Sequence, residues 1–385
     1  MLDTACAKPL LIGATIGAVQ SQVLAIVEQF WHRMPGGTAA ATERTLSALA
    51  EHGDFDIVGL AARHSPPDPD EPSTWMRMPS GSRLEYHWLP RPALYESWLR
   101  LGRPSIDRYT TESTVVWASS LIVPPTSAPT VATVHDLDFL VNPEFSTKRG
   151  KSFFPLVWHT AVERADLFVC PTQLVADDCL QRGVPADQLC VVPWGVEPPI
   201  CGPDEATRIV SEMGLPERFV LWVGPLAPRK NPKGAALAMG RVDADIVVVG
   251  PSTDYPEADA AFASLGGRMH RLEYVEPMVL SALFQTAAAL LYPSFAEGFG
   301  LPVLEAMIHG TPVVTSVGTA TEEVAGGAAL LVDPSNPDEI AEAMSTVLSD
   351  ETVRKRLVED GLTRAGQLTW EATAKGYAEA FQSVL

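Results

Sequence analysis

Apolar and polar positions alternate in blocks along this chain. Short runs rich in β-branched residues recur at Leu24–Val27, Phe55–Leu60, Leu84–Trp88, Val115–Ala118, Val131–His135, Leu167–Pro171 and Cys190–Pro193. A second series follows at Val220–Val223, Ile246–Val249, Leu272–Val275, Ala289–Tyr292, Pro312–Thr315 and Ala329–Val332. The runs are continuously apolar rather than alternating, which marks strands covered on both faces, as in parallel sheets. Between them lie helical patterns: Ala40–Ala50, Pro232–Gly240, Pro277–Ala287, Pro302–His309 and Pro337–Ser349. Strand followed by helix, repeated, predicts an α/β chain of two doubly wound, Rossmann-like domains. The prolines at 198, 199, 203 and 216 make Gly195–Glu217 read as a connection between them. The expected division is therefore 1–195, a linker at 196–217, a second domain at 218–368 and a closing helix at 369–385. That helix sets Tyr377, Ala380, Phe381 and Val384 on one face, suited to packing back on the first domain. A further Pro-rich stretch, Pro66–Pro79, reads as a long loop.

Strand ends at the carboxyl edge of such sheets border a crevice, and chemistry is expected there. One end reads Tyr292-Pro-Ser-Phe-Ala-Glu-Gly-Phe-Gly-Leu-Pro-Val-Leu-Glu305. It offers a carboxylate on a loop (Glu297), another on the following helix (Glu305), and between them Gly298 and Gly300 with a helix start near Leu301. Carboxylates accept hydroxyl hydrogen bonds, glycines admit a close ligand, and a helix start favours phosphate. A second end carries Arg229 and Lys230, the first giving a bidentate fork and the second a point charge for a diphosphate. In the first half, Gly36-Gly37-Thr38 precedes a helix, another phosphate-compatible turn, although an ordinary tight turn reads the same way. It is not G-x-G-x-x-G, so a nicotinamide site has little support. His135 ends a strand, where it can orient or polarise a substrate hydroxyl. Asp-x-Asp occurs at 68–70, 136–138 and 243–245; so frequent a pattern assigns no metal.

Charge narrows the field. Lys plus Arg number 28 against 47 Asp plus Glu, a net −19, which repels nucleic acid and leaves an anionic ligand dependent on a local cationic cluster. Five cysteines without a C-x-x-C pair suggest reduced thiols in a cytoplasmic protein. The apolar run Pro9–Val19 is too short for a bilayer span of about 20 residues, and the first twenty-odd residues read as a leader. The basic, aromatic stretch Thr147–Phe154 reads as a solvated loop, with peripheral contact to an anionic lipid or membrane as the alternative.

Taken in order, these residues resemble the retaining GT-B glycosyltransferases of family four, over nearly the whole chain from Leu24 and most strongly from Val220 to Asp333. The specific element is E-x7-E, met by Glu297 and Glu305. The resemblance implies two domains facing a central cleft, with the terminal helix from Trp370 crossing back to the first domain. It places Glu297 on donor-sugar hydroxyls, Glu305 on the ribose, and the amides of Phe299, Gly300 and Leu301 on sugar and phosphate oxygens. It also places Arg229 and Lys230 on the diphosphate, Gly36-Gly37 in the first-domain glycine loop, His135 near the reacting sugar and Tyr274-Val275 beside the base. One departure stands out: Pro225 follows Gly224 where many members carry arginine.

The activity so implied is transfer of a hexose, with retention and without a metal or other cofactor, from a nucleotide-diphosphate sugar. GDP-mannose is the family-level choice of donor, and the acceptor is a hydroxyl of a glycan or lipid-linked saccharide in polysaccharide biosynthesis. The rivals are a nucleotide-sugar-binding protein without turnover, and a GT-B enzyme of another reaction, such as epimerisation or non-glycosidic coupling.

Overall fold

The computed structural model describes residues 20–31, 36–64, 77–143, 148–251 and 255–385. The leader with its apolar run to Val19, the Asp68–Asp70 pair and most of the Pro66–Pro79 loop lie outside the described residues. The chain divides into two compact units, one running through Trp194 and including Trp370–Leu385, the other Gly195–Thr369.

In the first unit, β1 (Ser21–Ile26), α1 (Gly37–His52), β2 (Phe55–Ala61), β3 (Arg83–Tyr86), α2 (Arg91–Leu101), β4 (Thr114–Ala118) and β5 (Thr130–Thr133) come first. They are followed by α3 (Asp138–Val141), α4 (Lys148–Arg164), β6 (Leu167–Cys170), α5 (Gln173–Gln181) and β7 (Leu189–Val191). The seven strands form one sheet in the order β3-β2-β1-β4-β5-β6-β7, with every pairing parallel. The order reverses direction between β1 and β4, a topological switch point. Strand β3 closes an edge, with three of its four residues exposed and the fourth half-buried, which is why it is shorter than its apolar run suggests.

The second unit holds α6 (Pro203–Glu212), β8 (Phe219–Val223), α7 (Pro232–Met239), β9 (Asp245–Val249), α8 (Pro256–Ala263), β10 (Met269–Leu272) and α9 (Pro277–Thr286). It continues through β11 (Ala289–Tyr292), α10 (Leu301–Ile308), β12 (Val313–Ser316), α11 (Ala320–Ala325), β13 (Leu330–Val332), α12 (Pro337–Ser349) and α13 (Glu351–Ala365). Its six strands are parallel in the order β10-β9-β8-β11-β12-β13, with the switch point between β8 and β11. Six helices among the described residues here have proline in their first turn next to a non-helical cap residue, where the missing N–H costs nothing.

Three expectations are corrected. Strand β10 covers Met269–Leu272 rather than Leu272–Val275, so Tyr274 and Val275 lie in the loop after it; the strand is a sheet edge of partly buried residues, with little apolar signal. The Thr147–Phe154 stretch is not a loop: from Lys148 it begins α4, because Val157, Trp158, Ala161 and Ala165 make a helical stripe into the core. The Pro-rich connection contains α6, whose Pro203 is a helix-start residue, and it is tied to α9 by Ile200 N–H donating to Ser281 Oγ at 3.1 Å.

Helix α14 (Trp370–Val384) packs on α1 and the first sheet. Tyr377 Oη sits 2.9 Å from Thr133 Oγ1, which also takes the Trp117 indole N–H at 2.9 Å, and Phe381 meets the rings of Phe55 and Trp117. Gly376 lets this helix lie against Val192, since a Cβ there comes within 2.7 Å of that side chain. Burying Tyr377 and Phe381 at roughly 1.5–3 kcal/mol for each large apolar side chain explains why the chain end belongs to the first unit.

Candidate functional site

The second sheet turns its strand ends into a charged cluster because all six strands point the same way. At the end of β8, Gly224 adopts φ +140° and donates to Val249 O at 2.8 Å. Gly250, at the end of β9, has φ +147°, and a Cβ there falls 1.9 Å from Gly224 O, so both positions demand glycine. Pro225 then turns the chain toward Arg229 and Lys230. The stem of Lys230 runs beside Gly224, 3.7 Å from where its Cβ would stand.

Asn231 fixes this turn. It holds a left-handed backbone at φ 54° and caps α7 by accepting from Gly234 N–H at 3.0 Å. Its amide donates to Pro293 O at 3.0 Å and Pro334 O at 2.6 Å, and Phe295 N–H donates to Arg229 O at 2.8 Å. The loops after β8 and β11 are thereby sewn together across the switch point. Sequence reasoning missed Asn231 as a site residue; the cap signal Asn-Pro at a helix start was there to find it.

Glu297 enters from the β11 side with its side chain 6% exposed. Lys230 Nζ donates to Glu297 Oε1 at 2.6 Å, and Arg229 Nη1 donates to Oε2 at 3.1 Å and to Ala296 O at 2.7 Å. Burial alone raises a carboxyl pKa, yet the charges of Lys230 and then Arg229 outweigh it and hold Glu297 at about 2. Lys230 also donates to the Tyr292 hydroxyl. Tyr292 is wholly buried, and burial together with the Glu297 charge keeps its phenol well above the usual range. It went unassigned because at the end of an apolar strand it reads as core. Glu305 lies on α10, and its charge also acts on the Tyr292 hydroxyl. Arg229 and Lys230 thus close on one clamped carboxylate in an acidic protein.

Gly300 caps α10 at φ +97°, where a Cβ meets Thr321 Cγ2 at 2.6 Å, and as a glycine it brings no side-chain cap of its own to the first turn beginning at Leu301. Gly298 and Phe299 are buried just before it. Tyr274, 42% exposed, and Val275 follow β10, two strand positions from β8, or about 10 Å along the same edge.

The first unit carries its own polar network at the β1–β4 switch point. Gln29, buried, donates to Thr42 Oγ1 at 2.8 Å and Ser119 Oγ at 2.6 Å. Ser119 O accepts from His135 Nε2 at 2.7 Å. With its proton on Nε2, the ring leaves Nδ1 as a buried acceptor with no partner among the described residues. Gly36 caps α1 at φ −100° with no side-chain cap, and no described residue comes within 4 Å of the position its Cβ would take. Gly37 and Thr38 form the first turn.

Burial pushes the pKa of His135 down, against the opposing pull of Ser119 O and Asp136. The ring is neutral when folded but titrates near 6.5 when unfolded. Its contribution to stability is therefore present above that pH and is lost as pH falls toward the lowered folded value. Urea unfolding at pH 7 and pH 5 should show a loss on acidification that is smaller in His135→Asn; equal losses would show that the ring is not held neutral.

Comparison with known proteins bears on the family. The model described as Glycosyltransferase Family 4 matches residues 35–198, and the one described as Glycosyl transferases group 1 matches residues 204–364. The chain belongs to the family-four glycosyltransferases. O-antigen chain mannosyltransferase B of Escherichia coli is 28% identical over 63% of this chain and 67% of its own length. D-inositol 3-phosphate glycosyltransferase of Corynebacterium glutamicum is 32% identical over 58% of this chain and 59% of its own. The chain thus spans about 60% of the length of such curated relatives. Solved structures match more fully. Sucrose-phosphate synthase from Thermosynechococcus elongatus superposes with a TM-score of 0.74 at 21% identity, covering 94% of this chain and 98% of that one. Anabaena HepE in complex with UDP and glucose also gives 0.74, at 18% identity, over 94% and 100%. The glycosyltransferase carries the GT-B fold.

Proposed function

We propose that this family-four glycosyltransferase moves a hexosyl group from a nucleotide-diphosphate sugar to a hydroxyl acceptor, with retention at the anomeric carbon. The observation that carries the reading is the clamp of Glu297 by Lys230 and Arg229 across the switch point of the second sheet. As the glycosidic bond to the diphosphate breaks, negative charge grows on the departing phosphate. Arg229, Lys230 and the glycine-capped start of α10 are the positive groups that would receive it, without a metal. Glu297 is held ionised and fixed in direction, ready to accept from a donor-sugar hydroxyl, and Glu305 to accept from the ribose. The departing phosphate oxygen then takes the acceptor's proton on the same face, so no second carboxylate is required as nucleophile. His135 presents its Nδ1 lone pair to a substrate hydroxyl as a positioning group. The Tyr274-Val275 segment completes donor binding on the second unit, and Gly36-Gly37-Thr38 offers a phosphate-compatible turn on the first.

A mannosyl donor on GDP is favoured by the mannosyltransferase among the relatives, while UDP bound to HepE supports a nucleoside-diphosphate site in general. The acceptor is a glycan or lipid-linked saccharide. Among the described residues no helix is long and apolar enough to cross a membrane. The free cysteines favour a cytoplasmic setting, with peripheral contact at the inner membrane face as the second reading. The test is incubation with GDP-mannose, UDP-glucose, dTDP-glucose and ADP-glucose against a panel of saccharide and lipid-linked acceptors, followed by mass and anomeric analysis. A product retaining the donor's configuration, unaffected by chelator, is expected. Donor binding with no transfer to any acceptor would show a silent nucleotide-sugar-binding protein instead.

A further inference from the structure

We propose that Thr321 is a positioning residue for the donor site: its methyl, aimed by a buried network of hydroxyls, holds Gly300 and with it the loop that carries Glu297. The inference rests on the donor reading of that loop and adds a residue to which the reading gives no part.

The local sequence is dense in hydroxyls. Between the third residue of β12 and the second of α11 the chain runs Thr315-Ser-Val-Gly-Thr-Ala-Thr321, four hydroxyl side chains in seven positions. Thr315, Ser316 and Thr321 are fully enclosed and Thr319 is buried. A buried hydroxyl needs a partner, and here the partners are one another and the neighbouring strand end. Thr321 Oγ1 stands 2.8 Å from Thr315 Oγ1 and 2.7 Å from Thr319 Oγ1. Thr315 Oγ1 also lies 2.9 Å from Tyr292 O, and Ser316 Oγ donates to Ser294 O at 2.6 Å.

The chain leaving β11 is thereby held at Tyr292 and Ser294 by hydroxyls of β12. Thr321 holds the far end of the same loop. A β-branched side chain whose hydroxyl is anchored from two sides keeps one χ1 well, so its methyl has a single direction. That direction is Gly300: a Cβ built there would fall 2.6 Å from Thr321 Cγ2 and 3.8 Å from the Tyr292 ring. Gly300 sits at φ +97°, a backbone that glycine adopts freely, and it has no side chain with which to anchor itself. The methyl fills that space instead. Glu297 and the amides before α10 lie between these two fixed ends. A brace for the sheet would account for the bonds to Tyr292 O and Ser294 O, but not for a methyl locked against the left-handed residue that opens α10. Such precision matters at a reacting centre, where a misplacement of about 1 Å costs about 10²-fold in rate.

The experiment compares Thr321→Ser, which keeps the hydroxyl and deletes the methyl, with Thr321→Val, which deletes the hydroxyl and keeps a methyl in its place. Transfer is measured in the full chain with whichever of the four nucleotide sugars above supports it, at a temperature where fluorimetry shows all three proteins folded. Thr321→Ser should lose about tenfold or more in kcat with little change in donor KM, because the loop is needed in place chiefly in the transition state. Thr321→Val should stay within about threefold of wild-type kcat, although it gives up buried hydrogen bonds and melts lower. Hydrogen exchange read by mass spectrometry over residues 294–301 should quicken in Thr321→Ser and not in Thr321→Val. A threonine that serves the fold alone would leave kcat unchanged in both folded variants. The proposal is overturned if Thr321→Ser keeps wild-type kcat or wild-type exchange, or if Thr321→Val loses as much as Thr321→Ser. If the wild type transfers sugar from no donor, the donor reading fails by itself, and the exchange measurement then decides whether Thr321 holds the loop.

Discussion

Glu297→Gln should abolish sugar transfer while increasing the stabilisation that a bound nucleoside diphosphate confers. The substitution keeps shape and removes charge. It strips Lys230, whose side chain is 11% exposed, of the carboxylate 2.6 Å away, and Arg229 of its partner at 3.1 Å. Removing one member of a buried ion pair typically costs about 3–5 kcal/mol, so the free variant should melt well below the wild type. A diphosphate supplies the missing negative charge, and its binding raises apparent stability by mass action. Differential scanning fluorimetry with and without GDP and UDP measures both effects, and radiolabelled transfer measures the third. A ligand-induced shift no larger than in the wild type would show that the two cations do not face phosphate. The pH dependence has a definite sign. With Glu297 held at about 2 against an ordinary 4.5, its contribution to wild-type stability is complete above the ordinary value and disappears as pH falls through 2. The variant should lack that segment of the acid-unfolding curve.

Lys230→Ala is expected to be nearly as damaging to catalysis, by a different route. Loss of a donor that stabilises developing charge costs about 2.7–4 kcal/mol of barrier, or roughly 10²–10³ in kcat. The variant should bind nucleoside diphosphate more weakly and bare nucleoside unchanged, because only the former presents phosphate. Isothermal titration with GDP and guanosine, or UDP and uridine, separates the two. Equal weakening of both would place Lys230 in the fold rather than on the phosphates. The departure at Pro225 sharpens this expectation: with no arginine after Gly224, Lys230 and Arg229 are the basic pair on this turn.

Much of the site was legible because parallel α/β sheets gather strand-end residues at one edge. Thirteen apolar runs located thirteen strands among the described residues, and the largest displacements fell on β10 and on the start of β1. Strand β10 is a sheet edge, where a strand needs fewer buried side chains, and β1 opens on the polar Ser21 and Gln22. The helix at Lys148–Arg164 was hidden by its basic start and by Pro155, although its buried stripe repeats at helical spacing. Glu297, Arg229 and Lys230 were legible as charges in unusual places. Tyr292 was not, since a buried tyrosine acquires meaning only from what it touches, and Asn231 was legible only as a helix cap. Thr321 and Gly300 share no motif, so nothing along the chain pairs them.

By itself the sequence determined the number and parallel direction of the strands, and with them the edge at which the chemistry sits. The reason is local: apolar periodicity and helix-start residues act over a few positions. Only the tertiary structure decided which charges neutralise one another. A carboxylate held at about 2, a lysine folded against a phenol and a buried imidazole bonded through Nε2 all depend on burial and on distances between remote segments. Coulomb energy and desolvation are set by those two quantities, and neither is written in the order of the residues.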